Sequence, residues 1–249
     1  MEYSDPWFLA AAVISALIIG LAKGGLALVG SLAVPILALT TSPVYAAALM
    51  LPILVASDMY GLWSYRKEFD ARNLRILIPA GVLGIAIGWA TASLVTDRAV
   101  GLVVGVVGVA FCINAWRRRH HPLTPKPADV PRGVFWGTLV GFTSFVSHSG
   151  GPPYQVYVLP QRLPKMIYAG TTTILFSVIN AVKLVPYAAL GQLTVSNLRT
   201  SLYLVPVALV GVWAGVRLVK FLPERGYYIF VHVLLFVVSL KLIADGVDF

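Results

Sequence analysis

The chain has 249 residues, of which 58% are hydrophobic and only 12% charged, with a mean hydropathy of +0.83. A soluble globular chain carries about 25% charged residues, so this composition excludes one and points to an all-α polytopic membrane protein. A membrane β-barrel would alternate apolar and polar residues instead of running apolar. The net charge of +9 comes from basic residues clustered in short loops, the pattern of cytoplasmic loops rather than of a nucleic-acid surface.

Glu2 and Asp5 precede the first apolar run, where a cleavable signal would carry positive charge, so none is expected. Trp7–Ala22 is apolar, Lys23-Gly24-Gly25 interrupts, and Leu26–Thr40 is apolar again. At 1.5 Å per residue these arms reach roughly 24 and 22 Å, short of a ~30 Å hydrocarbon core. Ser42-Pro43 restarts a helix that runs to about Tyr65, and Arg66–Arg72 is a charged loop. Leu74–Val95 is a span, Asp97-Arg98 a tight turn, and Val100–Trp116 another span, with the single Cys112 in its apolar run. One cysteine excludes an intrachain disulfide framework. Residues 117–132, from Arg117-Arg118-Arg119-His120-His121 through proline-rich sequence to Arg132, form a basic linker. Beyond it Gly133–Ser147 and Pro152–Pro160 are two arms, the second only about 14 Å long. Lys165–Tyr187, Leu198–Val216 and Gly226–Ile243 are spans.

The second half repeats the first. Asn73-Leu74-Arg75 recurs as Asn197-Leu198-Arg199, Pro79, Gly84 and Gly88 recur as Pro206, Gly211 and Gly215, and Asp97-Arg98 recurs as Glu224-Arg225. Repeat one spans 7–116 and repeat two 133–245. Basic loops at 66–75, 117–132, 162–165 and 217–225 lie inside by the positive-inside rule; the neutral turn at 97–98 and the uncharged loop 188–198 lie outside. Segment 132–162 then leaves and returns on the same side. The expected architecture is two inverted repeats with six full spans, two broken re-entrant hairpins and both termini outside. Inverted repeats with discontinuous helices, and a site near the midplane, are the architecture of secondary transporters.

Several of these residues together resemble the sulfite exporter TauE/SafE family, also called toluene-sulfonate uptake permeases. The resemblance rests on Gly20-Leu-Ala-Lys-Gly-Gly25 with Val34-Pro35, on Asn73-Leu-Arg75, and on Gly141-Phe-Thr-Ser-Phe-Val-Ser-His-Ser-Gly-Gly-Pro-Pro153 leading to Leu159-Pro160-Gln161, and covers about residues 7–245. It implies a multi-pass transporter of the bacterial inner membrane that moves sulfite, sulfonate-like or related organic anions. Many members lack a His before the second Gly-Gly, so His148 marks a branch.

The residues themselves point to the two breaks. A helix that starts at a break turns free N–H groups and its positive dipole end toward the midplane, which favours an anion. The candidate substrate contacts are Lys23, Gly24 and Gly25 at the first break, Ser147, His148, Ser149, Gly150, Gly151 and Gln155 at the second, and Asn180 on the span that follows it. Helix ends at the same breaks offer carbonyls, which could hold Na⁺ instead. A mid-membrane lysine reads as functional unless it snorkels to an interface. His148 either carries charge or a proton for the site, or packs as a neutral histidine. The serine hydroxyls either reach substrate or bond back to their own helix. Asp58 and Asn180 occupy similar places in the two repeats. Asp58, His148 and Lys183 are the candidates for proton coupling, with Lys183 alternatively snorkelling outward. No phosphate-binding Gly-Lys-Ser/Thr loop, metal-spaced Cys/His set or hydrolytic triad occurs, so no cofactor and no metal are expected. The expected partners are a small anion, the lipid bilayer and protons, with no nucleic acid; a homo-oligomer stays open. A membrane-embedded enzyme using His148 and Asp58, or an anion channel, is the rival reading.

Overall fold

The computed structural model describes residues 6–92, 94, 96–117, 125–189 and 195–247. Glu2, Asp5, the His120-His121 pair and residues 190–194 of the 188–198 loop lie outside the described residues. Among the described residues ten α-helices follow in order: α1 Pro6–Lys23, α2 Ala33–Ala38, α3 Pro43–Tyr65, α4 Ala71–Ala90, α5 Asp97–Arg117, α6 Val130–Ser147, α7 Gly151–Val158, α8 Lys165–Ala189, α9 Val195–Phe221 and α10 Glu224–Val247. Among the described residues there is no strand, and the chain is an all-α, multi-pass membrane protein. Among the described residues seven helices are long and apolar enough to cross a membrane, namely the six expected spans and α1. The 18 residues of α1 make a rod of roughly 27 Å, because the helix continues through Lys23.

Helix starts follow short-range chemistry. The Ser42 hydroxyl accepts from the Tyr45 amide at 3.2 Å and Pro43 supplies a pre-set first residue. Asp70 accepts from the Asn73 amide at 2.7 Å to start α4, and Asp129 from the Arg132 amide at 2.9 Å to start α6. Two expectations need correction. Asp97-Arg98 is not a turn but the first turn of α5; the Thr96 hydroxyl accepts from the Ala99 amide, and turn geometry falls at Thr91, Ala92 and Leu94 instead. The arm Leu26–Thr40 is not one helix: Ala27–Leu32 is 3-10 and only Ala33–Ala38 is α. Pro35 withholds the N–H that the Ser31 carbonyl would need, and the Ser31 hydroxyl bonds back to the Leu28 carbonyl at 2.7 Å.

The helices group into two compact units, residues 1–69 with 169–223 and residues 70–168 with 224–249. In the first, α1 packs along α9, and α3 packs on both. Gly20 of α1 and Gly24, just past its end, face Gly211 and Gly215 of α9; a Cβ on Gly24 would lie 2.6 Å from the Gly215 Cα. Small residues at this four-residue spacing let two backbones touch, which is how apolar helices gain packing where lipid is as apolar as leucine. Phe8, Ala12, Ile19, Leu37, Leu49 and Met50 belong to one buried apolar core in this unit. The Ser15 hydroxyl ties α1 to α2 at the Ala33 carbonyl, 2.9 Å away.

In the second unit α4 packs along α6, and α5 along α10. Gly84 and Gly81 of α4 lie against the backbone of Thr138 and Gly141 on α6. The hairpin of α6 and α7 closes on itself. The Tyr157 hydroxyl donates to the Asp129 carbonyl at 2.9 Å, and the Lys126 amide to the Pro160 carbonyl at 3.1 Å. The chain therefore leaves and returns at one level, as a re-entrant hairpin requires. A 3-10 turn, Leu159–Gln161, ends it, and the buried Asn73 and Gln161 side-chain amides pair reciprocally at 2.8 and 3.1 Å. The two sequence motifs, Asn-Leu-Arg and Leu-Pro-Gln, are thus one contact.

Candidate functional site

The first break is a helix end built from main chain. Gly25 has φ 110°, a value glycine adopts freely. Around it the Gly25 amide donates to the Ala22 carbonyl and the Leu26 amide to the Leu21 carbonyl, the hydrogen-bond pattern of a Schellman cap. The Gly24 amide takes the Gly20 carbonyl. The last two carbonyls find side chains: Gly24 accepts from the Tyr65 hydroxyl at 2.6 Å and Lys23 from the Thr173 hydroxyl at 3.3 Å. Every carbonyl from Gly20 to Gly24 therefore already has a donor, which weakens the case for a cation at this end.

Lys23 turns its side chain inward rather than snorkelling. It is 5% exposed, and its ammonium lies 2.6 Å from the carboxylate of Asp58, itself 3% exposed. Asp58 sits on α3, and α8 completes its shell: Ser177 donates at 2.7 Å to Oδ1 and the Asn180 amide at 3.1 Å to Oδ2. Both carboxylate oxygens are thus held, as a buried charge in an apolar interior demands. Lys183, one turn beyond Asn180, is 1% exposed and within electrostatic reach of both Lys23 and Asp58; outward snorkelling is corrected by that burial. Gly61 of α3 keeps the three helices close, since a Cβ there would lie 2.9 Å from Thr173 and 3.2 Å from the Lys23 carbonyl. When all three charged groups are ionised, two ammoniums face one carboxylate, and the cluster carries one net positive charge.

The second break differs in construction. His148 ends α6 in the left-handed region, φ 52°, and its amide and that of Ser149 both donate to the Thr143 carbonyl. The hydroxyls of Ser147 and Ser149 are committed to main chain, at the carbonyls of Thr143 (3.2 Å) and Ser147 (2.9 Å). Next comes α7, whose first turn has no side-chain cap at Gly150 and two prolines, Pro152 and Pro153, without N–H groups. Among the described residues no carbonyl receives the amides of Gly150 or Gly151. Gln155, 2% exposed, lies one turn into the helix. Beside it Tyr154 packs on Tyr168, which in turn meets Tyr227 and Tyr228 edge-on.

The structure therefore joins Lys23, Asp58 and Asn180, with Gly24 and Gly25 at the same break, in the first unit. Ser147, His148, Ser149, Gly150, Gly151 and Gln155 gather at the second hairpin in the other unit. Sequence reasoning missed Ser177, Thr173 and Tyr65. A signal was present for two of them, because Thr173, Ser177 and Asn180 form a polar stripe at helical spacing on an otherwise apolar span. Tyr65, at the end of α3, carried none.

The family model described as sulfite exporter TauE/SafE matches residues 9–242. No curated protein and no solved structure matches the chain.

Proposed function

The chain belongs to the sulfite exporter TauE/SafE family, a family of membrane transporters for sulfite-type anions, and from that premise we propose that it is a secondary transporter of small sulfur-containing anions in a bacterial inner membrane. The observation that carries the reading is the buried Lys23–Asp58 ion pair at the first break. Asp58 acts as the resident counter-anion of the Lys23 ammonium. An arriving anion competes for the Lys23 ammonium. The pair opens, Asp58 takes up a proton, and Ser177 and Asn180 keep the protonated carboxyl in place. Anion and proton then cross together, with no net charge moved for a monovalent substrate.

Two features support inverted repeats as the frame for alternating access. Asp58 and Asn180, which occupy similar places in the two halves, hydrogen-bond to each other at 3.1 Å; equivalent residues of an inverted pair meet only near its symmetry axis. The helix pairs also exchange in kind. In the first unit α1 leans on α9, and in the second α6, the counterpart of α1, leans on α4, the counterpart of α9.

The test is transport by the purified protein in proteoliposomes, with sulfite, alkylsulfonates and carboxylates, with and without a pH gradient. Sulfur oxyanions are expected to move, faster when protons flow in the same direction, and Asp58→Asn is expected to abolish that acceleration. Movement of none of the panel, or chemical conversion of any of it, overturns the reading.

A further inference from the structure

We propose that the second hairpin tip selects anions that also carry a hydrogen-bond donor, and that the carbonyl oxygen of Gln155 is the acceptor that reads it. The proposal rests on the anion-transport reading and narrows its substrate class. Gln155 Oε1 is fully enclosed and has no hydrogen-bond partner among the described residues. Two turns further along the same segment, Gln161 is the contrast, its amide used by Asn73 and by the Tyr157 carbonyl. Buried side-chain oxygens are nearly always satisfied. An orphan persists where a bound molecule supplies the missing partner.

Its position points to that molecule. Side chains on a helix lean back toward its N-terminus, over the residue four places earlier. For Gln155 that residue is Gly151, where the unclaimed amides of Gly150 and Gly151 open α7. The tip therefore combines main-chain donors at a positive helix end with one buried acceptor. A plain sulfonate has only acceptors; it suits the amides and leaves Oε1 as it was. A small sulfur oxyanion with a hydroxyl or ammonium group near its charged end satisfies both.

Two ligands of nearly equal shape separate the cases: 2-hydroxyethanesulfonate, which carries a hydroxyl, and propane-1-sulfonate, which has a methyl in its place. Inhibition constants for both are measured in proteoliposomes against a transported anion. Wild type is expected to favour the hydroxyl ligand roughly tenfold, the yield of one well-made hydrogen bond. Gln155→Met is expected to bring the ratio near one while propane-1-sulfonate binds as in wild type, which also reports correct folding. Should that variant fail to fold, Gln155→Asn draws the carbonyl back by one methylene and is expected to lose the same preference. Equal affinities in wild type, or a preference that survives both substitutions, overturn the proposal and leave Oε1 to an internal water. Binding of neither sulfonate defeats the underlying anion reading, and this proposal with it.

Discussion

Asp58→Ala probes the buried cluster from its centre. The substitution removes the carboxylate and leaves the Lys23 ammonium, the Ser177 hydroxyl and the Asn180 amide around the vacated space, which they faced at 2.6, 2.7 and 3.1 Å. Lys183 lies within electrostatic reach of the same space. Removing one partner of a buried ion pair costs about 3–5 kcal/mol, because the other charge stays buried without compensation. The same space is lined with donors and close to the size of a small oxyanion. Sulfite at a hundred times its dissociation constant would return about 2.7 kcal/mol. Equilibrium unfolding in mixed micelles, titrated with sulfite, reads both effects. The variant should start well below wild type and climb toward it. Wild type should gain less, since its own carboxylate must first be displaced. A variant within about 1 kcal/mol of wild type would mean that the pair is not the buried, uncompensated charge described above. A variant that loses stability yet gains nothing from any small anion would show that the cluster is structural rather than an anion seat.

The remaining predictions concern the frame around it. Asn73→Leu strands the side-chain oxygen of Gln161 in a buried place, at a cost of about 1–3 kcal/mol; the double variant Asn73→Leu, Gln161→Leu should recover part of that in the same unfolding assay, and strict additivity would refute the pairing. In a Cys112→Ser background, single cysteines at Lys126 and Ala189, both exposed, should label from opposite faces of oriented vesicles; labelling from one face would defeat the inverted topology. Gly24→Ala drives a methyl to within 2.6 Å of the Gly215 backbone, so α1 and α9 must part, and protease protection of α1 in the membrane should fall measurably.

Much of this was legible in the sequence because the signals are local. The Gly24-Gly25 and Gly150-Gly151 breaks, the Ser42-Pro43 start and the apolar runs each act within a turn or two of themselves, and the helices α1, α3, α6, α8, α9 and α10 fall where those signals place them. The Asn-Leu-Arg and Leu-Pro-Gln motifs could be recognised, but not their union, since nothing periodic links Asn73 to Gln161. The same holds for Lys23. An intramembrane lysine announces a partner without saying which, and Asp58 and Ser177 are found only once α3 and α8 are packed. Asp97 misled because an acidic residue before an apolar run suits a turn and a first helical turn alike. The irregular second arm of the first hairpin escaped because hydropathy is blind to the difference between 3-10 and α geometry.

The exchange of helices between the two halves has a consequence for biosynthesis. The glycine seam of α1 has its partner in α9. At roughly 5–20 residues per second, the ~170 residues between them take on the order of 10–30 s to emerge from a ribosome. Until it ends Gly20 and Gly24 lack their α9 partner, and for most of it the Lys23–Asp58 pair lacks the donors that α8 brings. The buried ion pair is thus laid down early and finished late. The N-terminal half is inserted as an incomplete object, and the timing of its completion is set by the last third of the chain.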